Sequence, residues 1–184
     1  LGCNVTLDAL HPLAHWPELF TDREVLVRLD PGWGSGHHEK VVTGGRQAKF
    51  GIPMAELGDL SKLLEAAGAR AIGLHTHSGS GILDPGHWRK VAATLQAAAA
   101  HLPDIRIINV GGGLGIPEKP GQPALDLDRM NLELSEATGS WNGLELWLEP
   151  GRYVTAEAGV LLARVSQIKG KGDLRYIGLT TGMN

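Results

Sequence analysis

Glu24–Asp30 has the sequence EVLVRLD, an almost continuous apolar run that is rich in β-branched side chains. Such a run is typical of a strand buried on both faces of a parallel sheet. Three further short runs have the same character, namely Arg70–His75 and residues 105–110 and 144–148. Longer segments with a helical spacing of apolar residues separate them. The sequence therefore predicts an α/β chain built from repeated βα units.

Three helices are predicted between these strands, over residues 55–67, 84–102 and 125–137. Gly68 directly follows the first and is a typical helix stop. Asp84 and Pro85 are expected as the N-cap and the first-turn residue of the second helix. The predicted strands begin about 35–45 residues apart, which is the length of a βα unit with a long loop.

The end of the chain has a different pattern. Residues 159–169 and 175–181 are strand-like, and the polar residues 170–173 between them predict a turn. Two strands joined by a tight turn are typical of an antiparallel hairpin. We therefore expect a domain border near residue 158, with a β-rich region beginning at residue 159.

Composition and charge exclude several classes of protein. The chain has 184 residues, of which 42% are hydrophobic and 20% charged, as in a soluble globular protein. A net charge of -3 offers no electrostatic reason to expect nucleic acid or an anionic membrane as a partner. The longest apolar runs are shorter than the ~20 residues of a spanning helix. Cys3 is the single cysteine, which excludes an intrachain disulfide and suits the cytoplasm.

Polar, glycine-rich segments follow each of the four predicted strands. They are PGWGSG at 31–36, HTHSGSG at 75–81, GGGLG at 111–115 and EPGR at 149–152. Because the carboxyl ends of parallel strands meet at one edge of a sheet, we expect these segments to form a ligand site. The glycine triplet at 111–113 suits an anion such as phosphate, although a flexible surface turn is an alternative. Ser80 and Arg152 could contact the same anion.

The histidines and one glutamate leave alternatives open. His75 and His77 lie on one face of a strand, and with residues 37–39 (HHE) a metal site is conceivable. Later strand ends offer only Glu149, so we expect no metal. His75 is alternatively a satisfied structural histidine, and the flat ring of His77 could stack on a flat cofactor. We expect Glu149 to be partly desolvated and paired with Arg152 or with a protonated ring nitrogen of a ligand.

Four runs in order resemble the diaminopimelate decarboxylases. They are DPGWGSGHHEKVVTGGRQAKFGI, GLHTHSGSGI, INVGGGLGIP and LEPGRYVTAEAGVLLARV, and the resemblance covers essentially the whole chain. Members of this family are homodimeric pyridoxal-phosphate enzymes with an alanine-racemase-like (β/α)8 barrel and a β domain. The resemblance implies that residues 1–158 are part of that barrel and that residues 159–184 begin the β domain. The ending LTTGMN is similar to the form fused to an aspartate kinase.

The resemblance also implies roles for individual residues. The cofactor positions are His77, Ser80, Gly111, Gly112, Gly113, Glu149, Pro150, Gly151, Arg152 and Arg28. His77 and Glu149 are the catalytic ones, since His77 covers the face of the pyridine ring and Glu149 pairs with its nitrogen. Arg152 contacts phosphate or substrate. Lys49 is similar to a lysine that reaches across a dimer interface in related decarboxylases.

The implied reaction is decarboxylation of meso-2,6-diaminopimelate to L-lysine in lysine biosynthesis. The family's Schiff-base lysine is expected upstream of Leu1 and its substrate residues downstream of Asn184, so the piece alone is expected to be inactive and to aggregate. One alternative is decarboxylation of ornithine, arginine, lysine or carboxynorspermidine with the same cofactor. Two further alternatives are a metal-dependent barrel hydrolase and a non-enzymatic binding segment.

Overall fold

A computed structural model of the chain describes residues 4–36 and 49–182. The chain divides into two compact units, Leu1–Tyr153 and Val154–Asn184. The first unit contains a parallel sheet with its helices, and the second contains a β-hairpin. The assignment of the second unit to a C-terminal β domain stays a prediction.

Parallel pairing organises the strands of the first unit. These strands are β1 (Val5–Leu7), β2 (Glu24–Asp30), β3 (Ser35–Gly36), β4 (Ile52–Pro53), β5 (Arg70–His75), β6 (Gly79–Ser80), β7 (Ile107–Asn109) and β8 (Glu145–Trp147). The main sheet has the order β1-β2-β5-β7-β8, and β4 pairs with the carboxyl end of β2. A separate pair joins β3 to β6, directly after β2 and β5. The predicted parallel α/β arrangement is thus confirmed.

Two of the predicted strands, β2 and β5, have the predicted bounds. The other two are shorter than expected, because only the central residues of 105–110 and 144–148 pair with neighbours. Strand β1 was not predicted. Its three residues are too few for a periodic pattern, and it forms because it pairs in parallel with the long strand β2.

The helices are α1 (His11–His15), α2 (Leu57–Ala67), α3 (His87–Ala99), α4 (Leu127–Thr138) and α5 (Gly151–Thr155). Helix α2 ends at Gly68, as predicted, with Gly68 in the left-handed region at φ +66°. The predicted N-cap of α3 was wrong. Asp84 Oδ1 instead accepts the Gly86 amide at 3.0 Å in a turn before the helix, so α3 begins only at His87.

The two faces of the main sheet differ in their surroundings. The face that includes Val27, Leu74 and Ile108 packs against the helices in one buried core. The opposite face carries a row of polar and aromatic side chains. Its members lie side by side in register at the carboxyl ends of neighbouring strands, and they are Arg28, His75, Asn109 and Trp147.

The second unit consists of β9 (Val165–Lys171) and β10 (Leu174–Leu179), joined by a turn at Gly172. The predicted antiparallel hairpin is confirmed, although its first strand begins at Val165 rather than at residue 159. Ile168 and Ile177 lie directly opposite each other and are 65% and 58% exposed. A two-stranded hairpin with exposed apolar side chains is marginally stable without further packing.

Candidate functional site

Backbone hydrogen bonds join three of the loops at the carboxyl edge of the main sheet. The Glu149 amide donates to the Gly111 carbonyl oxygen at 2.8 Å. The Thr76 amide donates to the Asn109 carbonyl oxygen at 3.1 Å. The loops after β5, β7 and β8 therefore form one connected surface, as the sequence predicts.

The glycine triplet is confined between the neighbouring loops. A Cβ at Gly111 would lie less than 3.0 Å from the carbonyl oxygen of Thr76, and Gly111 has φ +70°. Gly112 is pressed equally closely against the carbonyl oxygen of Glu149, and Gly113 against that of Gly79. Only glycine permits this packing. The alternative of a flexible surface turn is wrong.

Two of the three glycine amides already have partners within the protein. The Gly111 amide donates to Asn109 Oδ1 at 2.9 Å, and the Gly112 amide donates to His77 Nδ1 at 3.3 Å. Within residues 4–36 and 49–182, the Gly113 amide has no hydrogen-bond partner. The triplet therefore offers one amide to an anion, rather than the three successive amides that the sequence suggested.

Asn109 and His75 surround the Glu149 carboxylate. Asn109 Nδ2 donates to Glu149 Oε1 at 2.8 Å, and His75 Nε2 lies 3.7 Å from Oε2. Arg152, one of the two partners considered for Glu149, instead donates to Ser80 and Glu118. The Glu149 side chain is 53% exposed, so among the described residues it is only partly desolvated.

The side chain of His75 is buried. It is 8% exposed, and within residues 4–36 and 49–182 neither of its ring nitrogens has a hydrogen-bond partner. Burial lowers the pKa of His75 to about 4, although Glu149 opposes the shift. The ring borders a cavity of about 330 Å³ lined by Thr6, Asp8, Arg28, Phe50, His75 and Glu149. Among the described residues, His75 is therefore not a satisfied structural histidine.

Arg28 supplies the positive charge beside this cavity. Its Nε lies 3.7 Å from Asp8 Oδ1, and its guanidinium lies 4.6 Å from the centre of the Phe50 ring. Asp8 also accepts the Gly51 amide at 3.0 Å. Arg28 contributes to lowering the pKa of His77, after the larger effect of burial.

Arg152 lies beside Ser80. Its Nη2 donates to Ser80 Oγ at 3.2 Å and its Nη1 donates to Glu118 Oε1 at 3.1 Å. Gly151 and Arg152 belong to the short helix α5 rather than to an extended loop, and Pro150 directly precedes that helix. Two of the predicted anion contacts are thus brought together. Glu118 was not predicted from the sequence.

The sequence also singled out residues 37–39 and Lys49. Residues 37–39 (HHE) fall outside the described residues. Across the described ranges, no group of three or more His, Cys, Asp or Glu side chains could hold a metal ion. Lys49 is exposed, with its Nζ 5.1 Å from the centre of the Phe50 ring. None of the described helices has the length and apolar content needed to cross a membrane.

Sequence reasoning missed Asn109 and Asp8. Asn109 ends the otherwise apolar run of β7, and a polar side chain there could have been recognised as facing the site. Asp8 follows β1, which was itself not predicted, so nothing in the sequence pattern connected Asp8 to Arg28.

We expect His75 to make stability depend on pH. Its folded-state pKa of about 4 lies below the ordinary value of 6.5, so the unfolded chain takes up the proton more readily. The contribution of His75 to the free energy of unfolding is fully present above pH 6.5 and declines by about 3 kcal/mol as the pH falls to 4. Urea unfolding between these pH values should therefore show a shallower dependence for His75→Gln than for the wild type. His15→Gln, at an exposed histidine, is the control and should retain the wild-type slope. Equal slopes for His75→Gln and wild type would contradict the prediction.

Comparisons with known proteins show which family the chain is similar to. The profile of the family described as pyridoxal-dependent decarboxylase, pyridoxal binding domain, matches residues 2–156. The whole chain is 33% identical to the diaminopimelate decarboxylase of Methanothermobacter thermautotrophicus, of which it covers 45%. It is 38% identical to that of Streptomyces coelicolor, with 87% of the chain covering 38% of that protein. A crystal structure of diaminopimelate decarboxylase matches 95% of the chain with a TM-score of 0.73 and 27% identity, and the chain covers 43% of it. The chain spans less than half the length of these relatives.

Proposed function

Because the chain belongs to the pyridoxal-dependent decarboxylase family, in its pyridoxal binding domain, we propose that the protein carrying it converts meso-2,6-diaminopimelate to L-lysine. The predicted cofactor, pyridoxal phosphate, and the predicted fold, an incomplete barrel, are confirmed by the family and by the matching structure. The names of the relatives support diaminopimelate as the substrate. The observation that carries the proposal is Glu149, held by Asn109 beside a cavity of about 330 Å³.

The residues around Glu149 fit the cofactor. Asn109 donates to Oε1 of Glu149, while Oε2 lies 3.7 Å from Nε2 of His75. Oε2 can therefore accept a hydrogen bond from the protonated ring nitrogen of the cofactor. Burial lowers the pKa of both His75 and His77, so these rings stay neutral near pH 7 and do not compete as cations for Glu149. The bound cofactor supplies an electron sink for the bond between Cα and the carboxylate. Glu149 is proposed to keep the ring nitrogen of the cofactor protonated, because the electron sink needs that positive charge.

His77 is proposed to lie against the face of the cofactor ring. Its Nδ1 accepts the Gly112 amide at 3.3 Å, which restricts rotation of the imidazole. Arg28 lines the same cavity as Glu149 and is proposed to form part of the cofactor floor.

The phosphate is proposed to bind where Gly113, Ser80 and Arg152 meet. Gly113 packs against the carbonyl oxygen of Gly79, the residue before Ser80, and Arg152 donates to the Ser80 hydroxyl. An amide, a hydroxyl and a guanidinium are all groups that hydrogen-bond a phosphate well. Gly111 and Gly112 support this site by shaping the loop, and Pro150 and Gly151 by placing Arg152. Arg152 is alternatively proposed to contact the substrate carboxylate.

Features of the whole protein are proposed from the family. It is inferred to be a cytoplasmic homodimer, and exposed Lys49 is proposed to approach the second subunit. Residues 159–184 are proposed to begin a β domain, because the exposed side chains of Ile168 and Ile177 need further strands to cover them.

The test uses the full-length protein that carries this chain. The purified protein should contain one pyridoxal phosphate per subunit and release lysine and CO2 from meso-2,6-diaminopimelate. Ornithine, arginine, lysine and carboxynorspermidine should be turned over far more slowly. Stoichiometric zinc without pyridoxal would refute the proposal, and preference for another of these amino acids would correct the substrate.

A further inference from the structure

The first turn of α3 contacts loops that follow two different strands. Ser78 Oγ and His87 Nε2 are joined by a hydrogen bond of 2.7 Å, and both residues are buried. Ser78 directly follows His77 in the loop after β5. His87 therefore fixes the backbone next to the histidine that is proposed to cover the cofactor.

Trp88, the next residue along α3, contacts the glycine loop. Its indole Nε1 donates to the carbonyl oxygen of Gly112 at 3.2 Å, and the whole side chain is excluded from solvent. The amide of Gly112 donates to His77 Nδ1. Adjacent residues of one helix thus reach His77 by two routes, through Ser78 and through Gly112.

The loop after β2 also meets this helix turn. The ring of Trp33 contacts that of His87 edge-on, with a centroid separation of 5.6 Å. The Lys90 ammonium lies 3.9 Å from the centre of the Trp33 ring, a favourable cation–π distance. Three loops at the carboxyl edge of the sheet therefore depend on one helix turn.

We propose that His87 and Trp88 are positioning residues that hold His77 and the glycine loop in the geometry that binds pyridoxal phosphate. This inference rests on the proposed function. Apolar packing alone would not require polar atoms at these two positions, since Phe and Leu also fill buried space. Here His87 Nε2 hydrogen-bonds Ser78 Oγ, and Trp88 Nε1 donates to the Gly112 carbonyl oxygen.

Trp88→Phe tests the indole contact, because it removes the N–H and keeps an aromatic ring. The buried Gly112 carbonyl then loses its donor, and the glycine loop is free to shift. We expect the Kd for pyridoxal phosphate, measured by equilibrium dialysis of the full-length apoprotein, to rise about tenfold.

A pair of variants at His87 tests the second contact independently of Trp88. His87→Gln retains an amide that can hydrogen-bond Ser78, whereas His87→Leu does not. We expect a Kd within about threefold of wild type for Gln and about tenfold higher for Leu, a difference of one hydrogen bond. These two variants test the positioning role of His87 even if Trp88→Phe fails to fold.

Leu95→Ala is the matched control. Leu95 is fully buried in the same helix, two turns beyond His87, and it belongs to the hydrophobic core. We expect this variant to lower Tm without changing the Kd. The inference is overturned if Leu95→Ala raises the Kd as much as Trp88→Phe and His87→Leu do, or if these two variants bind like wild type. Wild-type protein that does not bind pyridoxal phosphate would instead refute the proposed function.

Discussion

Glu149→Gln is expected to lower kcat of the full-length enzyme by about 10²–10³-fold. Glutamine keeps the size of the side chain and can still accept the hydrogen bond from Asn109. It carries no negative charge, so it cannot keep a ring nitrogen of the cofactor protonated. The affinity for pyridoxal phosphate should fall much less than kcat, because the substitution leaves the proposed phosphate contacts at Ser80 and Arg152 unchanged.

Glu145→Gln is the matched control for this substitution. Glu145 lies on the same strand, β8, and accepts the Trp147 indole N–H at 3.0 Å at an exposed position. Steady-state kinetics and cofactor binding of this variant should both match the wild type. A kcat for Glu149→Gln within about twofold of wild type would show that Glu149 has only a structural role.

Gly111→Ala is expected to weaken the binding of pyridoxal phosphate by at least about 100-fold. Backbone strain and a steric collision both contribute, and the collision is the larger effect. Placing alanine at φ +70° costs about 1–2 kcal/mol, which the folded protein can tolerate. The new Cβ would also collide with the carbonyl oxygen of Thr76, which is backbone and cannot rotate away. Relieving that collision separates the glycine loop from the loop that carries His77.

Gly121→Ala separates the two effects. Gly121 has φ +81°, but a Cβ there meets nothing within 4 Å. It therefore has the same backbone strain without the collision, and we expect its Kd for pyridoxal phosphate to equal that of the wild type. Equal binding by both alanine variants would mean that the glycine loop does not need its close approach to Thr76.

The predictions from sequence succeeded where a pattern is local and long. Strands β2 and β5 have the predicted bounds because each is a run of apolar residues that only a buried strand accommodates. The stop of α2 at Gly68 was predictable because glycine takes up a left-handed conformation without strain. Three-residue β1 has no such pattern and depends on pairing with β2.

The order of the motifs along the chain also determined which groups gather at the carboxyl edge. Parallel strands bring their carboxyl ends together whatever the loops contain, so Glu149, His77 and the glycine triplet were predictable as neighbours. The family resemblance then assigned their chemistry.

Only the tertiary structure decided which atoms pair within that site. The strand register places Asn109 beside His75, where its side chain donates to Glu149. Helix α5 places Arg152 where it contacts Ser80 and Glu118. These are contacts between residues up to 72 positions apart, and they change with a shift of one residue in any strand. Sequence periodicity determines the face on which a side chain lies, but hydrogen bonds of about 3 Å depend on strand register and helix placement.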